Sequence, residues 1–326
     1  MNLVTGASGF IGGRIVHALA EHGENIRILV RPGTNLRGIG EIKCRVITGD
    51  VLDMKSLRAA AGGCRRIYHA AAIYTFWSRR PEEIYEVNIE GTRNVIRAGL
   101  EANVERIVYT SSVATIGLPP SGIGTEETPV SLRDMAGDYK KSKFLAESAV
   151  NDFIRRGAPV VIVNPTFPVG EGDIKPTPSG QVIVRFLKRR MPAYLDTGLN
   201  VVDVDDVAKG HLLAADKGRI GQRYILGNMN MTLKEILQVL ASITGLPEPR
   251  IRLPYYPIFL FAKLDAALAN LIPRHVPLVP PESVRLARKK MFVDASKAVR
   301  ELDLPQTPPR VALEKSVTWF RSHGYV

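Results

Sequence analysis

Short β-branched runs alternate with longer stretches of helical period through the first half of the chain. Strands are predicted at Met1 to Thr5, Ile26 to Val30, Arg45 to Thr48, Arg66 to His69, Arg106 to Thr110 and Pro159 to Val163. Between them, Ile11 to Glu21, Pro81 to Leu100 and Asp138 to Arg156 have helical period, and in the second of these Ile84, Val87, Gly91 and Val95 fall on one face. Parallel strands need long crossovers, so this alternation makes an α/β fold with a doubly wound parallel sheet. Six strands are enough for a dinucleotide-binding domain.

The texture changes after Asn164, where Pro165, Pro168, Pro176 and Pro178 interrupt any regular period. Helical patterns return near Asp205 to Ala215, Leu233 to Thr244 and Val311 to Arg321. The expected organisation is a dinucleotide-binding domain over 1–165, with 196–226 returning to it. A smaller C-terminal α+β substrate lobe then takes 166–195 and 227–326. No internal repeat appears. The apolar stretch from Tyr255 to Ile272 is broken by Pro257, Lys263 and Asp265, short of the about 20 apolar residues that span a bilayer. Ordinary packing of the lobe is the expectation for its Phe259, Leu260, Phe261 and Leu264; a lid over a lipid-like substrate or a weak membrane-surface contact is the other reading.

Charge and composition narrow the function. Lys and Arg outnumber Asp and Glu by 44 to 32 in 326 residues, a net charge of +12, which favours anionic partners such as phosphorylated cofactors, sugar nucleotides or an acidic membrane face. The basic clusters at Arg65-Arg66, Lys188-Arg189-Arg190 and Arg288-Lys289-Lys290 are scattered and lack interleaved aromatics, so they describe a solvated surface and not a nucleic-acid interface. Cys44 and Cys64 lack CxxC spacing, and the start at Met1 has no secretory pattern; a cytoplasmic location is expected. The nearest pair of the six histidines, His17 and His22, is five residues apart, and no metal is expected.

Candidate chemistry begins at the first strand-to-helix turn. Thr5-Gly6-Ala7-Ser8-Gly9-Phe10-Ile11-Gly12 places glycines where a backbone must turn tightly and approach a pyrophosphate at a helix N-terminus. Gly6, Ser8, Gly9, Phe10, Ile11 and Gly12 are therefore candidate cofactor contacts. The second strand ends on Arg31-Pro32 where an NAD-selective site would usually carry an acid; a guanidinium suits the 2′-phosphate of NADP, with NAD the alternative and Arg37 a helper. Asp50 and Val51 are placed to border the adenine. Ala70, Ala71 and Ala72, after the fourth strand, permit close approach of ribose and pyrophosphate, and His69 is read as structural.

Tyr139 and Lys143 lie one helical turn apart, so an ammonium can stand near a phenol and favour its ionisation. Ser112, just past the strand ending at Thr110, is placed to hydrogen-bond a reacting oxygen, with Ser111 its competitor. Each feature alone is common; their order and spacing bring all three to one edge of one sheet.

With TGASGFIG, HAAA, YTSSVAT and YKKSK in this order, the chain resembles the extended short-chain dehydrogenase/reductases nearly end to end. Within them, EEIYEVNIEGTRN, VVIVNPTFPVGEGDIKPTPSG, RMPAYLDTGLNVVDVDDVAKGHLLA, RYILG and ARKKMF look most like the hopanoid-associated sugar epimerases, bacterial enzymes grouped near dihydroflavonol reductases. The resemblance implies an NAD(P)-binding Rossmann fold and a catalytic Ser112, Tyr139 and Lys143. It implies that Lys143 also holds the nicotinamide ribose, and that Thr110, Asn164 and Pro165 line the cofactor. An association with hopanoid lipids and a homodimer paired through the helices from Pro81 and Asp138 are implied too. Asp203 departs from the family, which has histidine there.

Two reactions fit these residues. A reductase would pass hydride from NADPH to an aldehyde or ketone while Tyr139 protonates the oxygen. An epimerase would oxidise a carbon of a sugar or sugar nucleotide and return the same hydride to its other face. A non-catalytic cofactor-sensing or scaffold protein is the alternative of another class.

Overall fold

The computed structural model describes residues 1–119, 122–272 and 275–326. Its first half runs β1 (Asn2–Thr5), α1 (Phe10–Glu21), β2 (Ile26–Val30), β3 (Arg45–Thr48), α2 (Met54–Ala61) and β4 (Arg66–His69), then α3 (Pro81–Tyr85), α4 (Gly91–Glu101), β5 (Arg106–Thr110), α5 (Gly137–Arg155) and β6 (Val160–Pro165). The second half runs β7 (Phe167–Val169), α6 (Pro178–Leu187), β8 (Ala193–Tyr194), β9 (Gly198–Asp203), α7 (Val204–Asp216), β10 (Arg223–Leu226), β11 (Met229–Thr232) and α8 (Leu233–Thr244). It ends with β12 (Ile251–Arg252), α9 (Tyr255–Leu271), α10 (Pro281–Leu286), α11 (Ser296–Leu302) and α12 (Pro309–Ser322).

Seven parallel strands form the main sheet in the order β10-β6-β5-β4-β1-β2-β3, so the chain is the doubly wound α/β protein its alternating pattern predicts. The six expected strands are all in it, and β10 is the seventh. Strands β1, β2 and β6 are buried along their whole length because helices cover both faces, and β6 accordingly opens on the apolar run Val160-Val161-Ile162-Val163. One core joins α1 and α7 through Ile15, Leu19, Val207 and Leu212; the other joins α2, α4 and α5 through Leu57, Val95, Ile96 and Val150. The strand order reverses between β1 and β4, and the carboxyl edge at that reversal is where open sheets of this type bind ligands.

Three sequence readings need amendment. The helix predicted over Pro81 to Leu100 is interrupted by a π-helical turn at Glu86–Glu90 between α3 and α4. The proline-rich stretch after Asn164 hides α6, whose Pro178 occupies a first-turn position without a lost hydrogen bond and whose N-cap is Thr177. Of 196–226, α7 packs on α1 and β10 extends the main sheet, whereas β9 pairs with β7 and β11 in a separate three-stranded sheet. That small sheet, α6, α8 and α12 enclose Ile183, Phe186, Leu237, Leu240, Leu313 and Phe320.

The packing expected of the apolar stretch after Tyr255 is also not what α9 shows. Its buried residues are Ala262, Asp265 and Ala269, while Leu260, Phe261, Leu264 and Leu268 are exposed. Among the described residues, no helix is long and apolar enough to cross a membrane.

Asp203, standing where the family resemblance leads to histidine, ties α7 to α12. It is fully buried, its Oδ1 accepts the Asp205 amide at 2.8 Å to cap α7, and its Oδ2 accepts from Lys315 Nζ of α12 at 2.7 Å. Asp205 continues the link, accepting from Lys315 at 3.2 Å and from Arg14 Nε of α1 at 2.6 Å. Asp203→Ala removes a cap and a charge-assisted hydrogen bond, a loss of about 2–3 kcal/mol. In urea unfolding its midpoint should fall accordingly, and Asp203→Asn, which keeps the cap, should lose less.

Candidate active site

Backbone geometry explains the glycine loop. Gly6 has φ +77°, and a Cβ there would lie 2.6 Å from the Ala70 carbonyl carbon; a Cβ on Gly12 would lie 2.1 Å from Gly6 O. Strand β4 and helix α1 thus close on the turn as tightly as backbone allows. Gly9 is the N-cap of α1, with no side-chain cap and no acidic residue in the first turn, so the helix presents unclaimed N–H donors at the sheet edge. Ser8 and Gly9 are exposed, Ile11 is half-buried, and Phe10 is buried against the core. An anionic pyrophosphate fits this cradle.

The adenosine side is open. Arg31 and Arg37 are exposed at the end of β2 and in the turn beyond it, and Arg31 O accepts from the Thr34 hydroxyl at 2.6 Å. Asp50 Oδ1 accepts the Leu52 amide at 2.9 Å, and Val51 is buried beneath Gly91. Ala70 and Ala71 are half-buried and Ala72 is exposed beyond β4. His69 is buried between the Thr5 hydroxyl at 2.7 Å and the Thr92 hydroxyl at 3.0 Å, and burial, then the nearby Lys143 charge, pushes its pKa down to about 3. That is a structural histidine, neutral at any working pH.

Helix α5 carries Tyr139 and Lys143 to the carboxyl edge of β5. The Lys143 Nζ donates to Thr110 O at 2.8 Å and to the Tyr109 hydroxyl at 3.1 Å, and is 4.7 Å from the Tyr109 ring centre. Burial lowers its pKa to about 7, with Glu147 opposing the shift. Tyr139 moves the other way from the sequence expectation: burial pushes its pKa up to about 12, a hydrogen bond with Ser112 lowers it, and Glu282 raises it. With the ammonium engaged on Thr110 and Tyr109, desolvation decides the phenol's state. The two competing serines separate cleanly. Ser112 faces Tyr139, whereas Ser111 turns inward and donates to Glu147.

Asn164 and Pro165 end β6, both buried. Asn164 Nδ2 donates to Ser112 O at 3.0 Å and to the Thr115 hydroxyl at 2.9 Å, so it fixes the backbone of the serine; its Oδ1 has no partner. Thr110 Oγ1 meets Nε2 of His211, whose Nδ1 meets Val207 O, and burial holds this imidazole down to about 4.

Several side chains that shape the site were not foreseen. Tyr74 and Phe76 stand against Tyr139, with ring centres 4.6 and 6.3 Å away. Their loop is held by Asn88, a buried residue of the π turn, which accepts the Ile73 amide at 2.8 Å and donates to Ile73 O at 3.1 Å and Ser142 Oγ at 2.9 Å. A polar residue four positions after Ile84 in an apolar stripe was the available signal. Glu147 lay four residues past Lys143 on the same face. Glu282 of α10 has no such signal: its buried carboxyl packs on Gly137 two residues before Tyr139, and burial, then Asp138, raises its pKa to about 8.

The residues present fit a dinucleotide along this edge. Gly12→Ala would drive a methyl into Gly6 O and splay the turn. Its dinucleotide affinity, followed by quenching of tryptophan fluorescence, should fall by about tenfold or more, since the amides of one helix end no longer converge.

Comparisons with known proteins agree with this geometry. Residues 2–227 match the model of the NAD dependent epimerase/dehydratase family. The chain is 42% identical to a putative dihydroflavonol 4-reductase of Synechocystis over 99% of its own length and 95% of the relative's. It is 35% identical to sterol demethylase protein B of Methylococcus capsulatus over 99% of each chain. The crystal structure of gox2253 superposes with a TM-score of 0.90 at 41% identity, covering 100% of this chain and 99% of that one. The chain belongs to the NAD-dependent epimerase/dehydratase family, the extended short-chain dehydrogenase/reductases, and is an NAD(P)-dependent oxidoreductase or epimerase.

Proposed function

We propose that the protein is an NADP(H)-dependent reductase of an apolar aldehyde or ketone. The observation that carries this reading is the aromatic wall: Tyr74 and Phe76 stand on Tyr139 where the reacting carbon must lie, and rings of this kind favour an apolar body over a solvated one. The reductase and sterol demethylase names of its relatives point the same way. Arg31, exposed at the end of β2, supports NADP(H), whose 2′-phosphate a guanidinium can bind in fork geometry.

When bound, the nicotinamide supplies the hydride. Tyr139, with its pKa near 12, holds its proton at neutral pH and gives it to the carbonyl oxygen as that oxygen gains charge. Ser112 orients the same oxygen. Lys143, poised near 7, is a proton source within the same pocket for restoring the phenol and keeps its ammonium beside Thr110 O, where a ribose hydroxyl can join it. Thr110, Asn164 and Pro165 hold the edge on which the nicotinamide ring would lie.

Tyr139→Phe deletes the proton and little packing. Carbonyl-dependent NADPH oxidation should fall by about 10²–10⁴-fold while dinucleotide affinity stays near that of the native protein; retained turnover would sink the role given to Tyr139. Arg31→Asp should weaken NADPH by about tenfold or more and NADH far less. Equal weakening of both would move the phosphate contact elsewhere.

A further inference from the structure

Helix α9 is apolar around most of its circumference, yet it buries the small side. Ala262, Asp265 and Ala269 face inward, while Tyr256 (76% exposed), Leu260 (60%), Leu264 (59%) and Leu271 (77%) form an outward stripe at helical spacing. Ile272, Val276 and Leu278, also exposed, continue it past the helix end. A helix that turns its leucines to water has no packing reason to do so, and a contiguous apolar patch of this size marks an interaction surface.

The rim identifies the partner. Lys263 Nζ and the Arg285 guanidinium lie 5.0 and 5.4 Å from the Phe259 ring, and Arg288 lies 5.6 Å from the Tyr255 ring. Arg79 donates to Ala269 O and Ile272 O, and Arg185 to Leu278 O. Asp265, the helix's one acid, is turned inward onto His275 and the Leu278 amide. A second copy of the chain would set these five cations against their like. An anionic bilayer satisfies both parts at once, taking the leucines into the acyl boundary and the cations at its phosphates. Seventeen residues rise about 26 Å, less than the hydrocarbon core, and Lys263 and Asp265 interrupt them, so the helix would lie along the interface and not cross it.

We propose that the outward face of α9 docks the protein on an anionic lipid surface. The docked helix adjoins the reaction site directly. Arg79, which grips its C-terminal carbonyls, belongs to the loop whose Tyr74 and Phe76 stand on Tyr139, and α10, packed on α9, carries Glu282. The docking does not depend on which carbonyl is reduced or on the reductase reading itself.

Co-sedimentation with vesicles of phosphatidylcholine, with and without phosphatidylglycerol, tests it on the full-length protein. Native protein should bind the phosphatidylglycerol vesicles, and Leu260→Glu/Leu264→Glu should bind about tenfold or more weakly, with unchanged melting temperature and NADPH affinity. Lys263→Gln/Arg288→Gln, which leaves the apolar face intact, should bind more weakly and lose its salt dependence in part. Failure of native protein to bind, or equal binding by native protein and both variants, overturns the proposal. So does a native dimer that light scattering shows becoming a monomer in the leucine variant, since the face would then be a self-interface.

Discussion

A carboxylate held inside the carboxyl edge of a parallel sheet sets the geometry of everything near the reacting centre. Glu147 is 4% exposed, and a carboxyl group so placed is tolerated only when its oxygens find hydrogen-bond partners. The partners come from three strands: the Ser111 and Thr115 hydroxyls beyond β5, Asn164 at the end of β6 and Arg223 on β10. The rotation of α5 about its axis follows. Lys143 and Tyr139 lie one and two turns earlier on the same face, so anchoring Glu147 aims both along the sheet edge. The same bonds turn Ser111 inward and leave Ser112, whose carbonyl Asn164 holds, to meet the phenol.

Around that fixed edge, the rest of the site is assembled from elements that are distant in sequence. The π turn between α3 and α4 brings Asn88 under the loop bearing Tyr74 and Phe76, and the same loop reaches α9 through Arg79. Helix α10 delivers Glu282 to the start of α5. Burial is the common electrostatic cause: it keeps the Tyr139 phenol protonated, brings Lys143 near neutrality and raises Glu282.

How legible this was depended on the range of each signal. Strand-helix alternation and the glycine turn are local patterns, and the six strands read from them are present in the sheet. The Tyr139, Lys143 and Ser112 constellation was legible because one helical turn and one strand end define it. The expected direction of the phenol's shift was not what the structure shows, because helical spacing reveals a neighbouring cation but not its competing partners, Thr110 O and Tyr109. Helix α6 was obscured by prolines that mark its start. The wall from Tyr74 and Phe76, the Glu147 anchor to Arg223 and the approach of Glu282 join residues tens to well over a hundred positions apart, and no spacing rule encodes them. The orientation of α9 was illegible for another reason: it is apolar on nearly all sides, so periodicity could not say which face turns inward.

Net hydride delivery to a carbonyl, with the proton from Tyr139, can be followed atom by atom. The most direct measurement supplies NADPH deuterated at the transferable position with a panel of apolar ketones and aldehydes, alongside sugar nucleotides, and follows the label by mass spectrometry. A net reductase yields an alcohol carrying one deuterium for each NADP⁺ formed, and that is the expected result. Isomerised sugar nucleotide, with the cofactor unconsumed and its label retained, would contradict it.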